Sequence, residues 1–263
     1  MRVLFIGDVV GEPGRVAVAH RLPKLREELS PGLVIANGEN AAGGVGITQQ
    51  TALELFHAGV DVITLGNHAW AKREVYPYLD REPRLLRPAN YPDGTPGRGW
   101  GVYTATTGES VGIVALCGRV FMDHLENPFR VADAILETLT RHADVIVVDF
   151  HGEATSEKSA FAWYVDGRVQ AVVGTHTHVQ TADEKVLPGG TAFITDAGMT
   201  GPVNSVIGVN KDLIIQRFLT QLPNRFEVAE GETVLSAVVI DIDGDAKRAT
   251  CIKRLQAGNE YGE

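Results

Sequence analysis

Short apolar runs recur along the 263-residue chain, and most of them end at a glycine or a polar residue. The clearest runs cover residues 3–6, 33–36, 60–65, 145–148 and 169–173. Largely continuous apolar runs of this length, bounded by turn residues, are typical of parallel strands that are buried on both faces. The pattern therefore predicts a central sheet in which most strands run parallel.

Helical periodicity fills most of the segments between these runs. Helices are predicted over residues 13–30, 49–58, 129–142, 156–164 and 210–221. The first helix is expected to bend or break near Pro23, because proline lacks the N–H that a helix interior needs. Two antiparallel pairs are predicted, residues 101–106 with 110–116 and residues 235–242 with 249–255. Together these elements predict an α/β fold in a single domain over residues 1–263, with the proline-rich segment 80–99 as an internal loop that contains one short strand at residues 85–87.

Polar side chains follow five of the predicted strands directly. In open α/β sheets, ligands bind outside the carboxyl ends of the strands, and right-handed connections bring neighbouring ends together. We therefore expect one site that contains the following residues: Asp8, Glu39, Asn40, Asn67, His68, His151, His176 and His178.

His176 and His178 flank a single threonine just after the run at residues 169–173. In an extended backbone, residues two apart point to the same side, so the two imidazoles are predicted to converge. Neutral imidazole is the commonest metal ligand in proteins. Two exposed loop histidines are the alternative, and the pair alone does not separate the two interpretations. Asp8 likewise has an alternative role as the cap of the helix predicted near Pro13.

The expected donor set is larger than one tetrahedral metal needs. Two carboxylates, amide oxygens and several imidazoles suit a pair of five- or six-coordinate metals that share a bridging carboxylate. Two metals about 3.5–4 Å apart clamp a phosphate and supply a bridging hydroxide at neutral pH. The sequence therefore favours phosphoester hydrolysis over redox chemistry, and it leaves His68 as a candidate acid.

Composition limits the binding partners and the cellular compartment that are expected for this protein. A net charge of −9 argues against an extended nucleic-acid surface or an anionic membrane surface. Cys117 and Cys251 have no C-x-x-C partner, which fits packed thiols in a reducing compartment. No apolar run approaches the roughly 20 residues of a membrane span, and the chain starts with a strand rather than a charged leader. A cytoplasmic location is expected.

One segment of mixed chemistry fits none of these patterns. Residues 118–124 read G-R-V-F-M-D-H on a predicted loop. Because the spacing matches no chemical template, packing and surface charge are favoured over substrate contact.

The order of the strand-end motifs resembles that of the calcineurin-like binuclear metallophosphoesterases, and most closely their YmdB-like bacterial branch. The motifs span nearly the whole chain and are Gly7-Asp8, Gly38-Glu39-Asn40, Gly66-Asn67-His68, His151 and Gly174-Thr175-His176-Thr177-His178. The resemblance implies a four-layer α-β-β-α sandwich with the site at the strand carboxyl ends. It also implies a phosphodiesterase that converts 2′,3′-cyclic nucleotides to 3′-nucleotides. Two divalent or trivalent metals are implied, with iron expected first, manganese as the alternative and zinc behind both.

The resemblance also implies a role for each strand-end residue. His68 would be the general acid. The implied metal ligands are Asp8 and His178 for the first metal, Glu39 as the bridge, and Asn67, His151 and His176 for the second.

Two positions depart from the general superfamily pattern. Val10 stands where that pattern has a histidine, and Glu39 stands where the bridging residue is usually aspartate. The YmdB-like branch shares both departures, with Asn40 supplying the missing ligand. These differences concern the identity of the metal rather than the reaction class.

Three hydroxyl side chains could reach a phosphate or ribose from the rim of the site, namely Thr155, Ser159 and Thr200. Helix capping or turn formation explains each of them about as well.

Several other functions remain open. A metal-binding regulatory or scaffold protein would hold metal without turnover, a di-iron oxidoreductase would consume oxygen, and a broad phosphomonoesterase or nuclease would accept other phosphoesters. A small phosphodiester is the expected substrate. A homo-oligomer is also considered, and an RNA-processing partner is implied by the resemblance alone.

Overall fold

The computed structural model describes residues 1–258. The strands in this part of the chain are β1 (Arg2–Ile6), β2 (Asp8–Val9), β3 (Leu33–Asn37), β4 (Val62–Thr64), β5 (Leu85–Leu86), β6 (Trp100–Thr104), β7 (Ser110–Cys117), β8 (Val145–His151), β9 (Ala171–Thr175), β10 (Lys185–Val186), β11 (Ala192–Ile194), β12 (Met199–Pro202), β13 (Thr233–Asp243) and β14 (Arg248–Ala257). The α-helices are α1 (Gly11–Leu29), α2 (Gln49–His57), α3 (Tyr76–Arg81), α4 (Pro128–Leu139), α5 (Thr155–Tyr164) and α6 (Lys211–Thr220), with a 3₁₀ helix at Arg73–Val75.

The strands form two sheets. The first has the order β2-β12-β13-β1-β3-β4-β5, with β14 paired to β13, and the second has the order β10-β11-β9-β8-β7-β6. Strands β1, β3, β4 and β5 run parallel, as do β7, β8, β9 and β11. The predicted antiparallel pairs form as β6 with β7 and β13 with β14. Parallel strands of both sheets therefore deliver their carboxyl ends to the site.

Three apolar clusters define the layers. One lies between the sheets and joins Phe5 and Ile35 of the first sheet to Ile113 and Val147 of the second. Another packs α1 and α2 on the first sheet, and the last packs α4 and α5 on the second. The arrangement is the predicted α-β-β-α sandwich. Its organisation as one domain over residues 1–263 stays a prediction, and residues 259–263 lie outside the described part.

The first helix differs from the prediction at Pro23. Helix α1 continues from Gly11 to Leu29 with Pro23 inside it, so the helix does not break there, and the alternative of a bend stays a prediction. Leu22 and Leu25 bury their side chains on either side of the proline. Packing of this apolar face offsets the lost backbone hydrogen bond, since tertiary burial contributes more to helix stability than local propensity does.

No helix among residues 1–258 is long and apolar enough to cross a membrane.

Candidate metal centre

The predicted site residues gather where the carboxyl ends of the two sheets meet. Asp8 forms strand β2 just beyond β1, and the next two motifs follow β3 and β4. The second sheet contributes His151 as the last residue of β8 and the histidine pair just after β9. The carboxylates of Asp8 and Glu39 and the ring of His151 are completely or almost completely buried. Buried charged groups at a sheet edge need partners, so their contacts indicate what the site is built to hold.

Glu39 is the centre of one group of contacts. Its Oε1 lies 3.1 Å from His151 Nε2 and 3.2 Å from His68 Nδ1. Its Oε2 accepts a hydrogen bond from the backbone N–H of His68 at 3.1 Å. Burial alone would raise the pKa of Glu39, but His151 and His68 outweigh burial and hold that pKa well below its usual range. Glu39 is therefore an anion in the interior of the protein, available to a cation.

Gly66 allows the loop after β4 to lie close to His151 and Glu39. A Cβ atom at Gly66 would collide with the His151 ring and with Glu39 Oε2. The glycine in the Gly66-Asn67-His68 motif thus allows the loop after β4 to pass directly over the buried pair.

A hydrogen-bond relay fixes the tautomer of His151. The Thr175 hydroxyl donates its single proton to Asp149 Oδ1 at 2.7 Å, so it accepts from His151 Nδ1 at 2.9 Å. In the neutral ring the lone pair is then on Nε2, which faces the site. Asp149 is fully buried and also accepts from Asn37 Nδ2 at 3.0 Å. Such an outer carboxylate is a common way of orienting a metal-binding imidazole.

His151 Nε2 faces three other candidate ligand atoms. It lies 3.0 Å from Asn67 Oδ1, 3.0 Å from His176 Nδ1 and 3.1 Å from Glu39 Oε1. Ligand atoms of Glu39, His151 and His176 all lie within 4.8 Å of one another. Burial alone would lower the pKa of His151, but the carboxylates of Glu39 and Asp8 raise it to about 9. The surroundings therefore favour positive charge at this atom, from a proton or from a metal ion.

Asp8 and His178 form the other side of the cluster. His178 Nε2 lies 3.9 Å from Asp8 Oδ1, and His178 Nδ1 lies 2.8 Å from the Ile207 carbonyl oxygen. Asp8 Oδ2 accepts from the backbone N–H of His176 at 3.2 Å. Burial raises the pKa of Asp8 to about 6 against the opposing effect of His178 and His151. Helix α1 begins after Val10 without a side-chain cap, so Asp8 does not cap it.

The two loop histidines do not share the extended backbone that the sequence suggested. His176 has φ 102° and His178 has φ 64°, so the extended backbone from which convergence of the two imidazoles was inferred is wrong, while the convergence itself stays a prediction. His176 instead turns to His151, and His178 turns to Asp8. Burial lowers the pKa of His176 to about 3, with His151 adding to the shift, so its ring is neutral. Positive φ in non-glycine residues costs free energy and concentrates at functional sites.

Asn40 and His68 contact each other beside Glu39. Asn40 Nδ2 donates to the Gly44 carbonyl oxygen at 2.9 Å and lies 3.3 Å from His68 Nδ1. His68 is the more accessible of the two, with a side chain 35 % exposed. The hydrogen bond to Glu39 raises the pKa of His68.

The donor set fits metal ions. Among the described residues, the buried oxygens Asp8 Oδ1 and Asn40 Oδ1 have no hydrogen-bond partner. Each is a hard oxygen ligand beside an imidazole, and such mixed oxygen and nitrogen sets suit iron and manganese. Buried acceptors without a donor are costly, and a cation between them would remove that cost.

The three hydroxyl residues predicted to contact substrate differ in how exposed they are. Thr200 is fully buried, and its hydroxyl is held by the backbone of Ser236 at 3.2 and 3.3 Å. Its predicted place at the rim is wrong, because β12 pairs with β13 there. Thr155 is the first residue of α5 rather than its cap. Thr155 is exposed and Ser159 half-buried, and their substrate contacts stay predictions.

Sequence reasoning missed the residues that support the candidate metal ligands. Asp149 and Thr175 orient His151, while Lys158 and Asp196 hold the loop that carries the histidine pair. The available signal was a charged residue inside an apolar strand, as at Asp149 in the run V-I-V-V-D-F-H.

A large groove lies elsewhere on the protein. It has a volume of about 1240 Å³ and runs between α1 and residues 225–231. None of the eight strand-end residues lines it, so this groove is separate from the candidate metal centre.

A family model described as YmdB-like protein matches residues 4–255. The chain belongs to this family. The resemblance that the strand-end motifs predicted is thereby confirmed.

Similarity to known proteins extends over nearly the full length of this chain. This YmdB-like chain is 51% identical over 261 residues to a Bacillus subtilis protein named 2′,3′-cyclic-nucleotide 2′-phosphodiesterase, covering 99% of this chain and 98% of the relative. A crystal structure of a hypothetical protein from Thermus thermophilus matches with TM-score 0.92 and 47% identity, covering 98% and 99% of the two chains. A novel phosphatase from Mycoplasma pneumoniae matches with TM-score 0.92 and 34% identity, covering 98% and 93%.

Proposed function

We propose that this YmdB-like protein is a metal-dependent phosphodiesterase that hydrolyses 2′,3′-cyclic nucleotides. The observation that carries the proposal is the convergence of ligand atoms of Glu39, His151 and His176 within 4.8 Å, beside the unpartnered oxygen of Asp8. Carboxylate and imidazole ligands grouped at buried strand ends suit metal-assisted hydrolysis of phosphoesters. The name of the Bacillus subtilis relative supports the choice of substrate.

The candidate ligand residues would bind two metal ions. The ligands would be Asp8, His178 and Asn40 for the first, Glu39 as the bridge, and Asn67, His151 and His176 for the second. When bound, such a pair supplies a nucleophile at neutral pH and stabilises charge on the phosphate. The chain's own contribution is to hold the ligands in place, and the Asp149–Thr175 relay directs the lone pair of His151 to the site.

His68 would protonate the leaving ribose oxygen. It is the partly exposed side chain next to the ligand cluster, so it can face both solvent and substrate. Opening of the ring at the 2′ oxygen would leave a 3′-nucleotide, which agrees with the 2′-phosphodiesterase named for the relative.

Iron is proposed as the first choice of metal and manganese as the second, because both accept mixed oxygen and imidazole ligands. A cytoplasmic location is proposed from the free thiols of Cys117 and Cys251. Self-association and an RNA-processing partner stay predictions.

The decisive experiment combines metal analysis with turnover on one preparation. Purified protein is assayed with 2′,3′-cyclic AMP, 3′,5′-cyclic AMP and single-stranded RNA, before and after chelation and metal return. About two metals per chain with preferred turnover of 2′,3′-cyclic AMP supports the proposal. Metal without turnover of any phosphoester indicates a scaffold, and preferred turnover of RNA indicates a nuclease.

A further inference from the structure

A strained, exposed phenylalanine lies on a loop beside the metal centre. Phe121 has φ 62° and a side chain that is 89% exposed. Positive φ is a genuine outlier for a bulky residue, and exposure of a large aromatic gives up the stabilisation of burial. Two costs at one position suggest that the exposed ring serves a contact outside the folded chain.

The loop that carries Phe121 is tied to the metal centre. Strand β7 ends at Cys117, which is paired with His151 on β8. The next residue, Gly118, donates its backbone N–H to the His151 carbonyl oxygen at 2.8 Å. The loop therefore leaves the sheet at the candidate ligand itself, and Phe121 is only four residues beyond that point.

A carboxylate of helix α5 anchors the same loop. Glu157 accepts hydrogen bonds from the backbone N–H groups of Arg119 at 3.0 Å and Val120 at 3.1 Å. The backbone on the N-terminal side of Phe121 is thus fixed to a helix of the scaffold. A fixed aromatic loses little conformational entropy when a flat ligand stacks on it.

Both ends of the loop are tied to the residue before Tyr91, because Asn90 Nδ2 donates to the carbonyl oxygens of Cys117 at 2.8 Å and Glu126 at 3.1 Å. Trp70, two residues after His68, packs edge-on against Tyr91 with ring centroids 5.2 Å apart. The loop is therefore connected through Asn90 and Tyr91 to the segment that carries His68, one of the strand-end residues.

We propose that Phe121 is a specificity-determining residue that stacks on the nucleobase of the substrate while the phosphate lies at the metal centre. The proposal rests on the proposed cyclic-nucleotide function. Every base has a π-face, so stacking favours nucleotides over phosphodiesters without a base and discriminates only modestly among the bases. The sequence-based preference for packing and surface charge in this loop is revised for this one residue.

The test compares two substrates that differ only in the base. Steady-state kinetics are measured with adenosine 2′,3′-cyclic phosphate and with the 2′,3′-cyclic phosphate of methyl riboside. Phe121→Ala is expected to raise KM for the nucleotide about 5- to 150-fold with kcat little changed, because stacking binds ground state and transition state alike. KM for the substrate without a base should not change, and Phe121→Trp should keep the wild-type preference.

Controls separate this role from folding and from the proposed function. Phe218→Ala removes a similarly exposed phenylalanine, 75% exposed on α6, and should leave both substrates unaffected. A second readout is binding of 3′-AMP to metal-free protein by calorimetry, which Phe121→Ala should weaken. Equal effects of Phe121→Ala on both substrates, or none on either, would overturn the role of Phe121 alone. A wild-type protein that turns over neither substrate would overturn the proposed function instead.

Discussion

Lys158 Nζ lies 2.8 Å from Asp196 Oδ2, and both side chains are completely buried. The same ammonium group donates to the Thr175 carbonyl oxygen at 2.7 Å. Asp196 also accepts from the backbone N–H of Thr177 at 3.0 Å and from its hydroxyl at 2.8 Å. The ion pair therefore ties helix α5 to the loop that carries His176 and His178.

Lys158→Met is expected to lower the free energy of unfolding by about 3–5 kcal/mol, because it leaves a buried carboxylate without its counter-charge. The loop histidines should also lose their fixed positions, so metal content should fall. Thermal or urea unfolding and metal analysis measure the two effects.

Two variants control this prediction. Lys253→Met changes an exposed lysine on β14 and should leave stability within about 0.5 kcal/mol of wild type. The double variant Lys158→Met with Asp196→Asn should recover part of the loss, since it removes both charges. A single variant as stable as wild type would show that the pair does not stabilise the fold.

The relay from Asp149 through Thr175 to His151 predicts an effect on metal affinity. Thr175→Val keeps the shape of the side chain and removes the hydroxyl, so the His151 ring loses its fixed orientation. Metal affinity measured by chelator competition should fall about 10- to 100-fold. Thr175→Ser should retain affinity. Thr191→Val makes the same change at another buried threonine, whose hydroxyl donates to the Val169 carbonyl oxygen, and should not alter metal affinity.

Much of this site could be predicted from the sequence because strand ends carry a strong local signal. Glu39 and His151 each lie three residues beyond the end of an apolar run, and an ionisable residue in that position has few structural uses. The supporting residues could not be predicted in the same way. Lys158 lies in a helix and Asp196 after a strand 38 residues later, and only the packing of the two elements makes them partners.

The wrong predictions for the histidine loop and for Thr200 also arise from contacts between residues that are distant in sequence. The extended geometry expected for His176 and His178 follows from the strand before them, whereas the loop is shaped by contacts with Asp196 that are distant in sequence. Thr200 resembles a rim hydroxyl in a glycine-rich turn, but pairing of β12 with β13 buries it. Local pattern predicts where the chain leaves a sheet, and tertiary contacts determine where each side chain then points.

Glu39→Gln is expected to remove more metal and activity than any other single ligand change. Glutamine keeps the size of the side chain but loses the charge that would serve both metals. Metal affinity should fall by more than about 100-fold, the upper range seen for changes in residues that merely support ligands. Metal analysis and kinetics alongside Asn67→Ala make the comparison. Retention of two metals with near-normal turnover would exclude the bridging role.

Asn40 is expected to contribute its unpartnered Oδ1 to the first metal. Asn40→His should preserve metal content better than Asn40→Ala, because imidazole can restore a donor. Metal analysis of both variants after identical loading tests this expectation. Equal loss in both variants, or no loss in either, would remove Asn40 from the ligand set.

His68 is expected to protonate the leaving oxygen. A ribose alkoxide is a poor leaving group, whereas p-nitrophenolate leaves readily without a proton. General acid catalysis contributes about 10²- to 10⁴-fold, so His68→Ala should lose that factor with 2′,3′-cyclic AMP. The variant should lose much less with a p-nitrophenyl phosphodiester and should keep both metals.

The contacts of His68 make the metal control essential. Its Nδ1 lies 3.2 Å from Glu39 Oε1, so removing the ring changes the surroundings of the proposed bridging carboxylate. Metal content is therefore measured on the same samples as the kinetics, and chromatography identifies the product as a 2′- or 3′-phosphate. A similar loss on both substrates with metals retained would mean that His68 positions the phosphate, because a proton donor must act most strongly on the poorer leaving group.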